Sequence, residues 1–414
     1  MTQVSGDPES QIVSQTFRAE AIRALATGIQ ETAFTTFAIL IAVKHFSLGP
    51  SAKAAIISSL ALGLIGGLFV VPLIARMGWK VSCAAAGVQF LSMLGFLIAA
   101  LSENSKILYM AGMGLGMGII AMAIPLQTHY LRENFPESRR GRLFSISILI
   151  RALSAMVFSW LIGEYLDEDM SRFTHVLLLF AFASGAAAIC QFVIPSNPFD
   201  EDVKKPPIGQ SIGWLKDDQV FARMIAAAMA MGLGVLSANA LRVDYLVNPV
   251  HALEFDAPTT AFITGVIPSI TRLISTFFWG WLFDRMDFFK LRAIVNAVFF
   301  GGILLYFASG DKVVIAAGSA LFGLARGGGE ILWNLWVTKL ENPSQIAGYM
   351  SVHTFMTGIR VLIAPFMGFL IVSFANIPTM VAVSSFFVIL SFVILWPLVF
   401  KGKRTRIGLD QAKS

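Results

Sequence analysis

Leu321-Phe-Gly-Leu-Ala-Arg326-Gly-Gly-Gly-Glu330-Ile-Leu-Trp-Asn334 is the stretch on which the reading of this chain turns. It lies within an apolar run, Val313 to Val337, that is long enough to cross a bilayer. Spacing of four sets Arg326, Glu330 and Asn334 on one face of a helix. An ionised side chain at mid-bilayer costs about 2.5–3.5 kcal/mol even on the lenient insertion scale. A stripe kept there is hidden from lipid, in a protein interior or along a watery path. Polar traffic through a membrane is the leading reading.

The rest of the chain agrees with a membrane setting. Of 414 residues, 56% are hydrophobic and only 14% charged, against about 25% charged in a soluble domain. Twelve apolar runs have the required length; they lie near 22–43, 54–75, 80–101, 107–130, 143–165, 174–194, 221–247, 259–283, 290–309, 313–337, 347–373 and 377–400. The expected fold is therefore an all-α membrane protein with twelve transmembrane helices. Residues 1–16 are polar and lack a basic region followed by a short apolar core, so the first span is expected to be retained.

Charge sets the expected orientation. Lys and Arg gather after the even-numbered runs: Arg76 and Lys80; Arg132, Arg139, Arg140 and Arg142; Lys204, Lys205 and Lys216; Arg285, Lys290 and Arg292; Lys401, Lys403, Arg404 and Arg406. The alternate loops are poor in bases and often acidic, as at Glu164, Asp167, Glu168 and Asp169. By the positive-inside rule both termini are cytoplasmic. The net charge of +6 follows from this bias and makes no case for nucleic acid. Cys83 and Cys190 both fall in apolar runs, and the five histidines form no ligand-spaced pair, so neither a metal nor another cofactor is expected.

Pro195 to Lys216 is the longest polar stretch between runs and reads as an exposed linker. The expected organisation is a cytoplasmic segment 1–19, a six-helix bundle 20–194, a cytoplasmic linker 195–217, a second six-helix bundle 218–400 and a basic tail 401–414. The halves echo each other. Arg76-Met-Gly78-Trp-Lys80 follows the second run and Gly280-Trp-Leu-Phe-Asp284-Arg285 the eighth, with the two arginines 209 residues apart. Pro136 and Gly141 recur as Pro343 and Gly348, offset by 207.

Twelve spans split six and six, with a Gly-x-x-x-Asp-Arg signature after the eighth, resemble the major facilitator superfamily of secondary transporters. The resemblance covers residues 20–400. It implies two bundles rocking around a central site, giving alternating access. It also implies a cytoplasmic gate latch at Gly280, Asp284 and Arg285, with a weaker copy at Arg76, Gly78 and Lys80, where Ala75 replaces the acid.

Polar residues inside the runs supply the candidate solute site. The first run carries Thr27, Glu31 and Thr35 at four-residue spacing, with Gln30 beside them. The fourth offers Gln127 and His129, the seventh Asn239 and Arg242, and the tenth the opening stripe. These four runs resemble the family's cavity-lining set. Arg151, Arg272 and Arg360 lie deep in the fifth, eighth and eleventh runs. With Arg326 they make four guanidiniums against two equally deep carboxylates, Glu31 and Glu330. Left unpaired, four would cost on the order of 10 kcal/mol. An anionic substrate would supply the missing charge through two-point guanidinium contacts. The bland alternatives stay open: a structural Arg326–Glu330 pair, and Arg151 or Arg360 bonded to carbonyls. Arg242 and Asp244 also read as a plain outer gate or interfacial pair. Glu31 and Glu330 are the proton-carrier candidates.

The expectation is a monomeric secondary transporter in a cell membrane, moving a small polar solute, anionic rather than cationic, with H+ as the candidate coupling ion. Drug–proton efflux is the alternative, although the fifth run lacks the Gly-Pro-x-x-Gly-type motif those exporters resemble one another in. A non-transporting receptor or assembly subunit is the alternative of another class. No nucleophile–base pair suggests an enzyme. Gly327-Gly328-Gly329 is no phosphate loop, since no strand precedes it; it suits a bend or a close approach of substrate to backbone. Gly112, Gly114, Gly116 and Gly118 suit tight helix packing.

Overall fold

A computed structural model describes residues 8–199, 213, 215–336 and 346–400. Lys204, Lys205, most of the linker, Pro343 and the basic tail lie outside the described residues, as does the side chain of Asn334. Among the described residues the structure is helical, with no strand. In chain order the helices are α1 (Pro8–Thr32), α2 (Ala38–Lys44), α3 (Pro50–Ser58), α4 (Leu60–Met77), α5 (Val81–Ala100), α6 (Lys106–Ile120), α7 (Ala123–Asn134) and α8 (Glu137–Glu168). There follow α9 (Phe173–Phe192), α10 (Gln219–Val247), α11 (Ala257–Ala261), α12 (Ile267–Arg285), α13 (Phe288–Tyr306), α14 (Lys312–Leu335), α15 (Ile346–Phe374) and α16 (Ile377–Phe400). A π-helical turn, Ala33–Phe37, joins α1 to α2, and a second, Phe262–Val266, joins α11 to α12.

Local chemistry explains many of the starts. Asp218, Asp287 and Asp311 accept hydrogen bonds from the first free backbone N–H groups of α10, α13 and α14, satisfying donors that a helix start leaves open. Ser105 does the same for α6. Eleven stretches among the described residues are long and apolar enough to span a membrane. The remaining long helix is α14, which carries Arg326 and Glu330 past its midpoint. Phe182, Phe277 and Phe374 are largely exposed, as expected where the surrounding solvent is lipid.

One expected boundary needs correction. The first helix begins at Pro8, well before residue 22, because Thr16 and Glu20 are fully buried and need a structured backbone. Glu20 is held by Arg23 in hydrogen bonds of 2.5 and 2.6 Å. Lys290 and Arg292 lie in the first turns of α13.

By its contacts the chain forms two compact units. Unit 1 comprises residues 1–47 and 62–203. In it α5 packs on α6 and α9, and α1 on α8 and α9. The helices approach closely because glycines leave room: a Cβ at Gly112 would stand 2.3 Å from the Ala99 nitrogen, and one at Gly95 equally close to that of Gly116. Unit 2 comprises residues 48–61 and 204–414. Here α12 packs on α14, α13 on α14, and α10 on α15 and α16. Its core gathers Phe221, Trp279, Phe289, Trp336 and Tyr349. The short α3 belongs to this unit, with Ser58 donating to the Leu362 carbonyl at 2.9 Å.

Candidate functional site

In unit 2, glycine decides where the charges meet. A Cβ at Gly323 would stand 2.4 Å from the Pro268 carbonyl oxygen, and one at Gly327 3.0 Å from that of Arg272. Backbones of α12 and α14 therefore lie against each other, which brings Arg272 beside Glu330. Arg272 Nη1 is 3.3 Å from Glu330 Oε1, and Arg326 Nε is 3.5 Å from the same oxygen. Burial separates the three. Only 4% of the Arg272 side chain is exposed, against 35% of Glu330 and 46% of Arg326.

The glycine run correspondingly has a different purpose from the one expected. Helix α14 continues without a break through Gly327–Gly329. A Cβ at Gly328 would meet Val295 at 2.7 Å and the Trp279 ring at 3.0 Å. These residues admit α12 and α13, so neighbouring helices occupy the space assigned above to substrate or to a bend.

Unit 1 holds a smaller relative of this cluster. A Cβ at Gly28 would lie 2.5 Å from the Arg151 carbonyl oxygen, so α1 and α8 touch where Glu31 follows one turn later. Arg151 Nε is 3.4 Å from Glu31 Oε2, with 36% and 13% of the two side chains exposed. The remaining polar face of α1 is partly turned inward. Thr27 and Thr35 donate to carbonyls of their own helix, at Arg23 and Glu31. Gln30 is buried and donates to Gln89 and Ser184 at 3.2 and 2.6 Å. Gln127 is half-buried on α7. His129 packs against Phe199, with ring centres 4.5 Å apart.

The other predicted residues take separate places. Asn239 is exposed on α10, with its amide oxygen 3.5 Å from Arg242 Nη1. Arg242 itself is buried: it donates to Ser319 and lies over the rings of Tyr306 and Phe322 at 4.8 and 4.7 Å. Arg360 donates to the Ala228 carbonyl at 2.6 Å. One of the four deep arginines, Arg360, thus finds a partner that is not a carboxylate, and Arg242 finds aromatic faces. The shortage of acids counted from sequence overstates the need for an external anion. Asp244 pairs with Lys53 of α3 rather than with Arg242; the pair is almost wholly buried, and His251 Nε2 stands 3.4 Å from the same carboxylate. Sequence reasoning passed over Lys53, although a lysine four residues into an apolar helix is the same signal as Arg326. Glu20 and Arg23, three apart on α1, were equally legible as a pair.

Of the latch residues, Arg76, Gly78 and Lys80 are exposed at the end of α4, where Gly78 takes a positive φ of 62°. That conformation favours glycine. Asp284 and Arg285 are exposed at the end of α12, and the Arg285 guanidinium lies 4.2 Å from the Trp281 ring centre.

Comparison with known proteins places these clusters in context. The family model described as Major Facilitator Superfamily matches residues 22–340. No curated protein matches the sequence. Among solved structures, a mutant form of the nucleoside transporter NupG is similar at 13% identity, covering 94% of this chain and all of that one, with a TM-score of 0.75. A bacterial homologue of the human lysosomal transporter Spinster, inward-facing and occupied, shares 11% identity over 95% of this chain and 97% of its own, with a TM-score of 0.65. The transporter FucP in an outward conformation shares 17% over 93% and 97%, with a TM-score of 0.60. At these identities the likeness is one of fold.

Proposed function

Because the chain belongs to the Major Facilitator Superfamily, and is a multi-pass membrane protein with a transporter's fold rather than an enzyme's, we propose that it is a secondary transporter of a small polar solute, working by alternating access. One observation carries this reading. Arg326 lies past the middle of α14 with 46% of its side chain exposed, beside a Glu330 that is 35% exposed. A guanidinium that open at mid-span is stable against water and costly against acyl chains, so it belongs to a polar path. The side chains of Arg326 and Arg151 are 46% and 36% exposed, and a guanidinium suits a carboxylate or phosphate oxygen, which favours an anionic solute. Glu31 and Glu330 are the proton-carrier candidates, each tied to arginine. Arg242 and Arg360 are structural in this reading. Gly280, Asp284 and Arg285 form the latch, with Arg76, Gly78 and Lys80 as its weaker copy. The termini face the cytoplasm of a cell membrane, the bundles comprise 20–194 and 218–400, and the transporter acts as a monomer.

The test is counterflow into liposomes holding the purified protein, run with panels of small carboxylates, organic phosphates, neutral sugars and cationic drugs. An anion should accumulate, and Arg326→Gln or Arg151→Gln should lower its uptake at least tenfold in folded protein. Uptake of a cationic drug instead, or anion uptake unchanged in both variants, defeats the anionic reading. Absence of counterflow for every panel defeats transport itself.

A further inference from the structure

A second polar cluster, fully inside unit 2, has no place in the transport scheme. A cavity of ≈ 20 Å³ is lined by residues of α10, α13, α14, α15 and α16 and by Trp336, with Arg292, His353 and Trp336 among them and Leu332 and Leu395 as apolar walls. Arg360 borders it by donating to Ala228, another lining residue. Gly232 makes room for that arginine, since a Cβ there would stand 2.2 Å from Arg360 Cδ. Among the described residues Arg292 donates to the Met231 sulfur alone, at 3.3 Å from Nη2. Among the described residues neither guanidinium has a carboxylate partner.

The hydrogen-bonding groups around this space are unfilled. His353 Nδ1, Trp336 Nε1 and Arg360 Nε are each buried without a partner, and their residues are 6%, 1% and 9% exposed. The Trp336 and His353 rings meet edge to face at 5.3 Å, and the Trp333 ring lies tilted against His353 at 4.1 Å. Buried polar atoms are almost always satisfied, and a buried Arg360 with a half-buried Arg292 at the same cavity is costly without negative charge. A space of this size holds one water or one monatomic ion; a carboxylate or phosphate does not fit. Water would satisfy the indole, but it would leave the two positive charges uncompensated.

We propose that this cavity binds a monovalent halide-sized anion, chloride in a cell, held by the Arg292 and Arg360 guanidiniums, the Trp336 N–H and the His353 tautomer protonated on Nδ1. The ion is a structural partner of unit 2, separate from the solute bound at Arg326. It holds α10, α13 and α15 together by bringing negative charge to the two guanidiniums.

Thermal unfolding of the purified full-length protein tests this, with chloride exchanged for gluconate at constant ionic strength. Chloride should raise the melting temperature saturably, because it binds the folded state, and bromide should replace it. Trp336→Phe removes one donor to the anion and keeps the ring, so half-saturation should rise about tenfold, the worth of one hydrogen bond to a charge. Arg292→Gln should abolish the chloride effect; if that variant fails to fold, Trp336→Phe decides alone. No saturable difference between chloride and gluconate would mean that the cavity holds only water. A difference undiminished in Trp336→Phe would place the ion elsewhere. Either result overturns the proposal, whatever counterflow shows.

Discussion

Gly28 and Glu31 on α1 face Arg151 on α8; Gly327 and Glu330 on α14 face Arg272 on α12. In each unit a glycine one turn before the glutamate admits the arginine's own backbone, at 2.5 Å in the first case and 3.0 Å in the second for a hypothetical Cβ. The arrangement is built twice, but burial is distributed in opposite ways. In unit 1 the arginine is the open partner, 36% exposed against 13% for Glu31. In unit 2 Arg272 is closed at 4% and the glutamate open at 35%, with Arg326 added outside it. One geometry therefore yields a firmly held carboxylate in one half and a shared, accessible one in the other.

The largest effect should come from a pair more deeply buried than either. Lys53→Met strands the Asp244 carboxylate and should cost about 3–5 kcal/mol in chemical unfolding, whereas the double replacement with Asp244→Leu should recover most of it. A double variant as unstable as the single one would mean the charges themselves are needed. Next, Glu330→Gln should cost about 2–3 kcal/mol, because it abandons the buried Arg272. Glu31→Gln should cost about 1 kcal/mol, since Arg151 can turn to water. Equal losses would show that burial does not distinguish the clusters.

Smaller again is the glycine comparison. Gly28→Ala pushes on backbone and on the Ser154 Cβ, both at 2.5 Å, while Gly327→Ala first meets the rotatable Ser275 hydroxyl at 2.6 Å. Unfolding should show about 2 kcal/mol lost at Gly28 and about 1 kcal/mol at Gly327; the reverse order would mean α12 and α14 are the stiffer contact. The least effect belongs to Asp169, a water-exposed carboxylate between α8 and α9. Hydrogen bonds from the Ser171 hydroxyl and backbone hold it below the usual carboxylate range. A lowered folded value adds stability above the unfolded pKa and loses it as pH falls through the folded one. Asp169→Asn should therefore flatten the acid side of the unfolding profile only slightly.

Much of this was legible before any coordinates. Long apolar runs reveal membrane helices because backbone polar groups in lipid must be satisfied within each segment, and charges that violate such runs mark themselves. Arg326, Glu330, Glu31 and Arg151 stood out for that reason. Which of them touch was not legible: Arg272 meets Glu330 across 58 positions, and spacing along one helix says nothing about its neighbour. Nor could composition show that Arg242 lies on two aromatic rings or that Arg360 ends on a carbonyl, because cation–π and backbone partners leave no periodic trace. Glycines misled in a related way. In sequence they weaken a helix; in the packed unit they are the absent volume through which another helix comes near.

The π turns at Ala33–Phe37 and Phe262–Val266 carry a last consequence. Each is in effect one surplus residue swallowed by a helix without forming a loop. Excising a single position from 33–37 would leave an ordinary helix whose later part is rotated by about 100°. Ile39 and Ile41, now buried, would swing toward new surroundings while Glu31 stayed put. Length at that point is thus a rotational setting, and evolution by deletion there would re-aim half a span in one step.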